Sequence, residues 1–232
     1  MLKMSRTLPM LGLAIAIVMH TGCSSPQADG RTGSPAKTDG VHTRSLDQSQ
    51  AIVLAENGKA NVVIVVPPQA TNVTRFAAQE LKTFLDASLA ASIPIVEQPP
   101  ANMPAIILGD NELSRKAGLD VKKLPRDGYY IKSVGDTIYI AGVDDPAPDP
   151  TKKITWSDYY TERATVFGVY EFLERFVGVR FYFPGDIGTV IPKRKELKVP
   201  GVDITDSPDY TSRSYSRDSR TNSAEYSLAV CS

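Results

Sequence analysis

Histidine is nearly absent from this 232-residue chain: His20 and His42 are the only two, and both precede the first strand-like run. With none in the body, Ser-His-Asp and Cys-His catalysis are excluded there, as is histidine-ligated zinc or iron. Cysteine is as scarce, with Cys23 near the start and Cys231 second from the end. If Cys23 is modified, no disulfide is available within the chain, and stability must come from burial. Neither G-x-G-x-x-G nor G-x-x-x-x-G-K-[ST] occurs, which removes the usual nucleotide cradles. No sign of charge predominates either. Lys plus Arg and Asp plus Glu stand at 26 each, so there is no basic field to attract nucleic acid.

What is present is ordinary globular composition, 42% hydrophobic and 22% charged, arranged in distinct zones. Residues 1–22 read as an export signal: Lys3 and Arg6, then the apolar run LGLAIAIVM, then small Thr21 and Gly22 before Cys23. That run is short for a membrane span. Its ending resembles the lipobox of bacterial lipoproteins, with His20 standing where leucine is usual. The resemblance implies lipidation at Cys23 and a membrane-anchored protein, the alternative being plain secretion. Removing Lys3 and Arg6 from the 26 basic residues leaves 24 against 26 acidic, a near-neutral exported chain. Residues 23–50, rich in Ser, Gly, Pro, Asp, Thr and Gln, are predicted to be a disordered tether.

The body is predicted to start near residue 51 with two paired strands, AIVLAE and NVVIVVP, turned by Asn57 and Gly58. Asn72 then caps a helix whose Val73, Phe76, Ala77, Leu81, Phe84, Leu85 and Leu89 form one apolar stripe. Short runs IPIVE and AIILGD precede a hairpin, GYYIKSV and TIYIAGV, split by Gly135 and Asp136. That makes about six strands around one helix. A second helix follows in RATVFGVYEFLERFVGVRFYFPGD, residues 163–186, which holds seven aromatic rings. Val166, Val169, Tyr170, Leu173 and Val177 fall in one arc and face a sheet, while Glu171 and Arg175 pair at i, i+4. Gly178 suits a left-handed cap, and Val179, Phe181 and Phe183 alternate along a short strand.

FAAQELKTFL, IILGD, DGYYIKS, IYIAG, VFGVYEFLERFVGVRFYFPGD and GTVIP, in this order over residues 51–205, resemble the N-terminal domain of bacterial alpha-glucuronidases and related exported proteins. The resemblance implies an α+β fold, a two-layer sandwich of mixed sheet with two main helices on one face, similar to the accessory domain of beta-hexosaminidases. It also implies that the chemistry belongs to a following (β/α)₈ barrel. Residues 206–232 resemble the entry into such a barrel, and a barrel takes roughly 200 residues or more. The chain is therefore expected to be a truncated reading frame or a domain that works alone.

No catalytic residue, metal site or cofactor is expected in this chain. A glycosidase needs two carboxyl groups converging on one bond, and no pair is singled out; Glu171 and Glu174 read as solvated helix charges. Residues 142–162 form a long loop where the alpha-glucuronidase resemblance breaks. Its Asp144, Asp145, Asp149 and Asp158 do not match the spacing of a calcium loop. Trp156, Tyr159 and Tyr160 are candidate sugar-stacking residues, against the plainer reading that they cover the edge of the core. Phe167 and Phe172 lie outside the helix's sheet-facing arc and are candidates for packing against the barrel. The functional expectation is a noncatalytic accessory domain of an exported glycoside hydrolase-like protein acting on polysaccharide. The alternatives are a self-standing carbohydrate-binding or surface module and, last, a complete hydrolase.

Overall fold

The computed structural model describes residues 43–146, 161–183 and 185–209. Contacts divide the chain into Met1–Lys37 and Thr38–Ser232, and all described residues lie in the second unit.

Strand β1 (Thr43–Glu56) turns through Asn57 and Gly58, both at positive φ, into the two-residue β2 (Lys59–Ala60). The expected hairpin ends there. After one more bond, from Asn61 N–H to the Leu54 carbonyl at 2.8 Å, the chain leaves β1 and builds β3 (Val63–Val65) near the far edge of the same sheet. The reason lies in its composition. A run apolar at every position is suited to a parallel strand covered on both faces, and Val62 to Val66 are all buried. Helix α1 (Asn72–Leu89) follows, with Thr71 rather than Asn72 as its cap: the Thr71 hydroxyl accepts from Thr74 N–H at 3.0 Å. Then come β4 (Ile95–Val96), β5 (Ala105–Leu108), the single-turn α2 (Glu112–Lys116), β6 (Tyr129–Val134) and β7 (Thr137–Gly142). The β6–β7 turn is the expected Gly135–Asp136 pair, with Gly135 at φ +57°. Helix α3 (Ala164–Phe172) runs into a π turn (Leu173–Val177) closed by Gly178 at φ +87°, as a left-handed cap requires. A small hairpin, β8 (Arg180–Phe181) and β9 (Thr189–Val190), precedes the long β10 (Leu197–Asp206).

The main sheet is mixed, in the order β2-β1-β10-β6-β7-β5-β3-β4, parallel from β7 to β4 and antiparallel elsewhere. Helices α1 and α3 pack together on one face, giving the α+β two-layer sandwich. Every residue of the α3 arc named above is buried. The opposite face is covered in part by residues 113–124, where Leu119 and Val121 close over Ala141.

Two boundaries differ from expectation. Residues 43–50, assigned to the tether, belong to β1, and Thr43 to Asp47 pair in register with Thr205 to Gly201 of β10. Their side chains from Arg44 on are exposed, so backbone pairing holds them and no apolar alternation marks them. Phe183, expected to continue the alternation of Val179 and Phe181 along a strand, lies beyond it and is exposed, because β8 ends at Phe181.

Candidate functional site

In a mixed sheet the carboxyl ends of the parallel strands are where loops and helix N-termini gather, and ligand crevices of α/β sheets form there. Here β3 ends at Pro67–Pro68, β5 at Gly109–Asp110 and β7 at Val143–Asp144, and together they line an open crevice of about 620 Å³. Asn111 forms its lip. The Asn111 side-chain oxygen accepts from Leu113 N–H at 2.9 Å and Ser114 N–H at 3.1 Å, while its own N–H donates to the Ser114 hydroxyl at 3.0 Å. Asp110 pairs with Arg115 at 2.9 Å on the rim.

Asp144 sits at the centre. One oxygen accepts from the Thr74 hydroxyl at 2.8 Å and the other from Thr165 N–H at 2.9 Å. The residue at the start of α3, Arg163, gives that helix no side-chain cap, so the carboxylate of Asp144, 21 positions before Thr165, serves as its cap and ties it to the first turn of α1. The approach is close. A Cβ on Gly142 would overlap that of Ala164 and lie 2.7 Å from the Gly128 carbonyl. Asp144 keeps some solvent-accessible edge but is enclosed nearly all round, and this desolvation pushes its carboxyl up to about 6 despite the bonds from Thr165 and Thr74. Glu162 pushes it further in the same direction.

Residues 142–145 and 162–165 run side by side. Asp144 bridges Arg163, Asp145 N–H donates to the Glu162 carbonyl at 3.0 Å, and Glu162 N–H returns to an Asp145 carboxylate oxygen at 2.9 Å. The long loop is thus clamped at its base. Its Trp156, Tyr159 and Tyr160, with Asp149 and Asp158, lie outside the described residues, as does Cys23. Among the described residues no group of three or more His, Cys, Asp or Glu side chains is placed to hold a metal ion.

Phe172 is not available for packing against another domain: it is fully buried, 5.4 Å from Phe176. The two rings meet at a tilt of 48°, and α3 touches α1, β6 and β7. A helix enclosed on several sides is apolar nearly all round for internal reasons. Phe167 is half-buried against the same core. Glu171 accepts from Arg175 Nε at 2.8 Å, as expected from their spacing. Tyr170, inside the arc, also donates its hydroxyl to Glu80 at 2.8 Å. The residues missed from sequence are Thr74 and Thr165. Thr74 carries a weak signal as the third residue after the Thr71 cap; Thr165 carries none.

The family comparison falls on β1 to β7 with α1 and α2, and includes the β7 end. Residues 48–147 match the glycosyl hydrolase family 67 N-terminus. The resemblance to alpha-glucuronidase N-terminal domains therefore holds for the segment from mid-β1 to just beyond Asp144. No curated protein matches the chain. Solved structures similar to it include a family GH115 4-O-methyl-alpha-glucuronidase with specificity for decorated arabinogalactans, 17% identical with a TM-score of 0.37 over 63% of this chain and 18% of that one. A GH20 exo beta-N-acetylglucosaminidase from Vibrio harveyi is 13% identical with a TM-score of 0.38 over 72% of this chain and 18% of its own. Streptomyces plicatus beta-hexosaminidase is 14% identical with a TM-score of 0.42 over 72% and 25%. The chain thus spans a quarter or less of the length of these glycoside hydrolases.

Proposed function

We propose that this chain is a noncatalytic accessory domain of an exported glycoside hydrolase-like protein, bracing and orienting a catalytic barrel that acts on polysaccharide, with glucuronoxylan the first substrate to try. The supporting observation is the match of residues 48–147 to a glycosyl hydrolase N-terminus, in a domain whose enclosed crevice carboxyl is already committed. Asp144 has both oxygens on Thr74 and Thr165, whereas glycoside hydrolysis needs two carboxyl groups free to face one bond. The test is direct: the purified chain should leave aryl alpha-glucuronides and glucuronoxylan intact. Turnover above background that disappears in Asp110→Asn or Asp144→Asn overturns the reading.

The same proposal places the protein on a bacterial membrane through a lipid on Cys23, on the strength of the Thr21-Gly22-Cys23 ending. Mass spectrometry of the N-terminal peptide should find an acylated cysteine, and an unmodified N-terminus elsewhere refutes it. A second reading, a self-standing carbohydrate-binding module, draws on the clamped base of the loop that carries Trp156, Tyr159 and Tyr160. Xylan-retarded electrophoresis abolished by Trp156→Ala would favour it.

A further inference from the structure

The largest apolar exposure in the described fold is on the β8–β9 hairpin. Tyr182 is 68% exposed, Phe183 50%, Ile187 90% and Val190 50%, four large apolar side chains within nine positions. Scattered exposed apolar residues need no explanation, but a contiguous set marks an interaction surface.

The hairpin is also built to stay in shape. Phe181 anchors it to the outer side of the helix pair, with its ring edge-on to Phe84 and Tyr170 at 5.2 Å from each. Arg180 donates to the Glu174 carbonyl at 2.6 Å, and Arg194 to that of Val177 at 2.6 Å. The turn closes through Tyr182 N–H to the Gly188 carbonyl at 2.8 Å and Gly188 N–H to the Gly185 carbonyl at 3.0 Å. Any side chain on Gly188 would collide with the Phe183 carbonyl, so the turn admits only glycine there. With these bonds holding Phe181, Tyr182 and Gly185 to Gly188 in place, and Tyr182, Phe183, Ile187 and Val190 exposed, the described part of the hairpin has little ordering entropy left to lose on binding.

We propose that this hairpin is the surface on which a glycoside hydrolase catalytic domain, joined to this one in a single polypeptide, seats itself. The inference rests on the accessory reading above and names its contact. Area selects the occupant. At about 200 Å² for a fully exposed side chain of this size, the four residues present roughly 500 Å². A stable contact between separate chains takes about 800 Å² from each partner, polar rim included, so these four side chains do not make one by themselves. A covalently joined domain meets the patch at millimolar effective concentration, where a contact of this size suffices. The surface lies on the helical layer, so the assignment also moves the docking role from Phe167 and Phe172 to Tyr182, Phe183, Ile187 and Val190.

The experiment fuses the chain from Ser24 to Ser232 in place of the N-terminal domain of a family 67 alpha-glucuronidase and compares it with the unfused chain. Carbene labelling read by mass spectrometry reports the accessibility of each side chain. Labelling of Tyr182, Phe183 and Ile187 should fall at least fivefold in the fusion. Phe183→Ser/Ile187→Asp should restore Tyr182 labelling there and split one thermal transition into two. In the unfused chain the same double variant should leave the melting temperature within about 2 °C of wild type, as for exposed positions. If the fusion protects another face and leaves the hairpin open, the docking assignment fails and the accessory role stands. If no face is protected, the accessory reading fails and takes the assignment with it. Hairpin labelling that rises on dilution of the unfused chain, or falls on adding glucuronoxylan oligosaccharides, makes a second copy or a sugar the occupant and overturns the proposal.

Discussion

Replacing Asp144 separates what its hydrogen bonds do from what its charge costs. Its carboxyl titrates at about 6 in the fold against 3.8 as an ordinary aspartate, because the enclosed site disfavours the charged form. A pKa raised on folding contributes stability that is fully present below 3.8 and is lost as pH rises through 6. Asp144→Asn keeps an oxygen to accept from Thr165 N–H, and its amide can donate to Thr74. The Thr74 hydroxyl then turns toward the Thr71 hydroxyl 3.0 Å away, so no buried group is orphaned. By linkage the wild type should lose about 2 kcal/mol relative to Asp144→Asn between pH 4.5 and pH 7.5, less whatever the solvent at its open edge recovers. Asp144→Ala removes the cap of α3 and the Thr74 partner together, and should destabilise by about 1–3 kcal/mol at either pH. Urea unfolding of the three proteins at the two pH values measures all of this. A wild-type to Asn difference that does not move with pH, or an Asn variant as unstable as the Ala variant at pH 7.5, refutes the reasoning.

Three further outcomes are expected. Phe172→Ala should cost about 3–5 kcal/mol, as for a fully buried ring, and Phe167→Ala, at a half-buried position, distinctly less; denaturant midpoints decide the order. Gly142→Ala should destabilise by about 1–3 kcal/mol or force α3 away from β7, visible as a lower melting temperature and faster amide exchange at Thr165. Compared with deletion to residue 42, deletion to residue 50 strips the Thr43 to Asp47 ladder from β10 and should expose the amides of Gly201, Asp203 and Thr205, which face β1, to rapid exchange, while Val202, bonded to Ser133 of β6, stays protected.

Where side-chain periodicity and tertiary burial coincide, the sequence was readable. The arc of Val166, Val169, Tyr170, Leu173 and Val177, the stripe on α1 and the Gly135–Asp136 turn all follow from local spacing. The strand at 43–50 was not readable because its pairing is a backbone property and its side chains carry only polarity. Nor was the position of β3. An apolar run next to an Asn-Gly turn satisfies a hairpin and a parallel strand equally, and only the whole sheet decides between them. Phe172 misled because the helical wheel assumes a constant step and one covered face, whereas α3 ends in a π turn and is enclosed on several sides. Asp144 stood among four loop aspartates with nothing to distinguish it. Its role depends on Thr74 and Thr165, 70 and 21 positions away.

The clamp between residues 142–145 and 162–165 has a use in protein engineering. Its two sides are bonded to each other and to the starts of both helices, so the chain is already closed at residues 145 and 162, ahead of the segment that joins them. Doubling the length of a flexible connection costs only about 0.6 kcal/mol of closure entropy. This position should therefore accept a passenger peptide or a small reporter domain whose own ends lie close together, making the domain a carrier into which new surface functions can be spliced without redesigning its core.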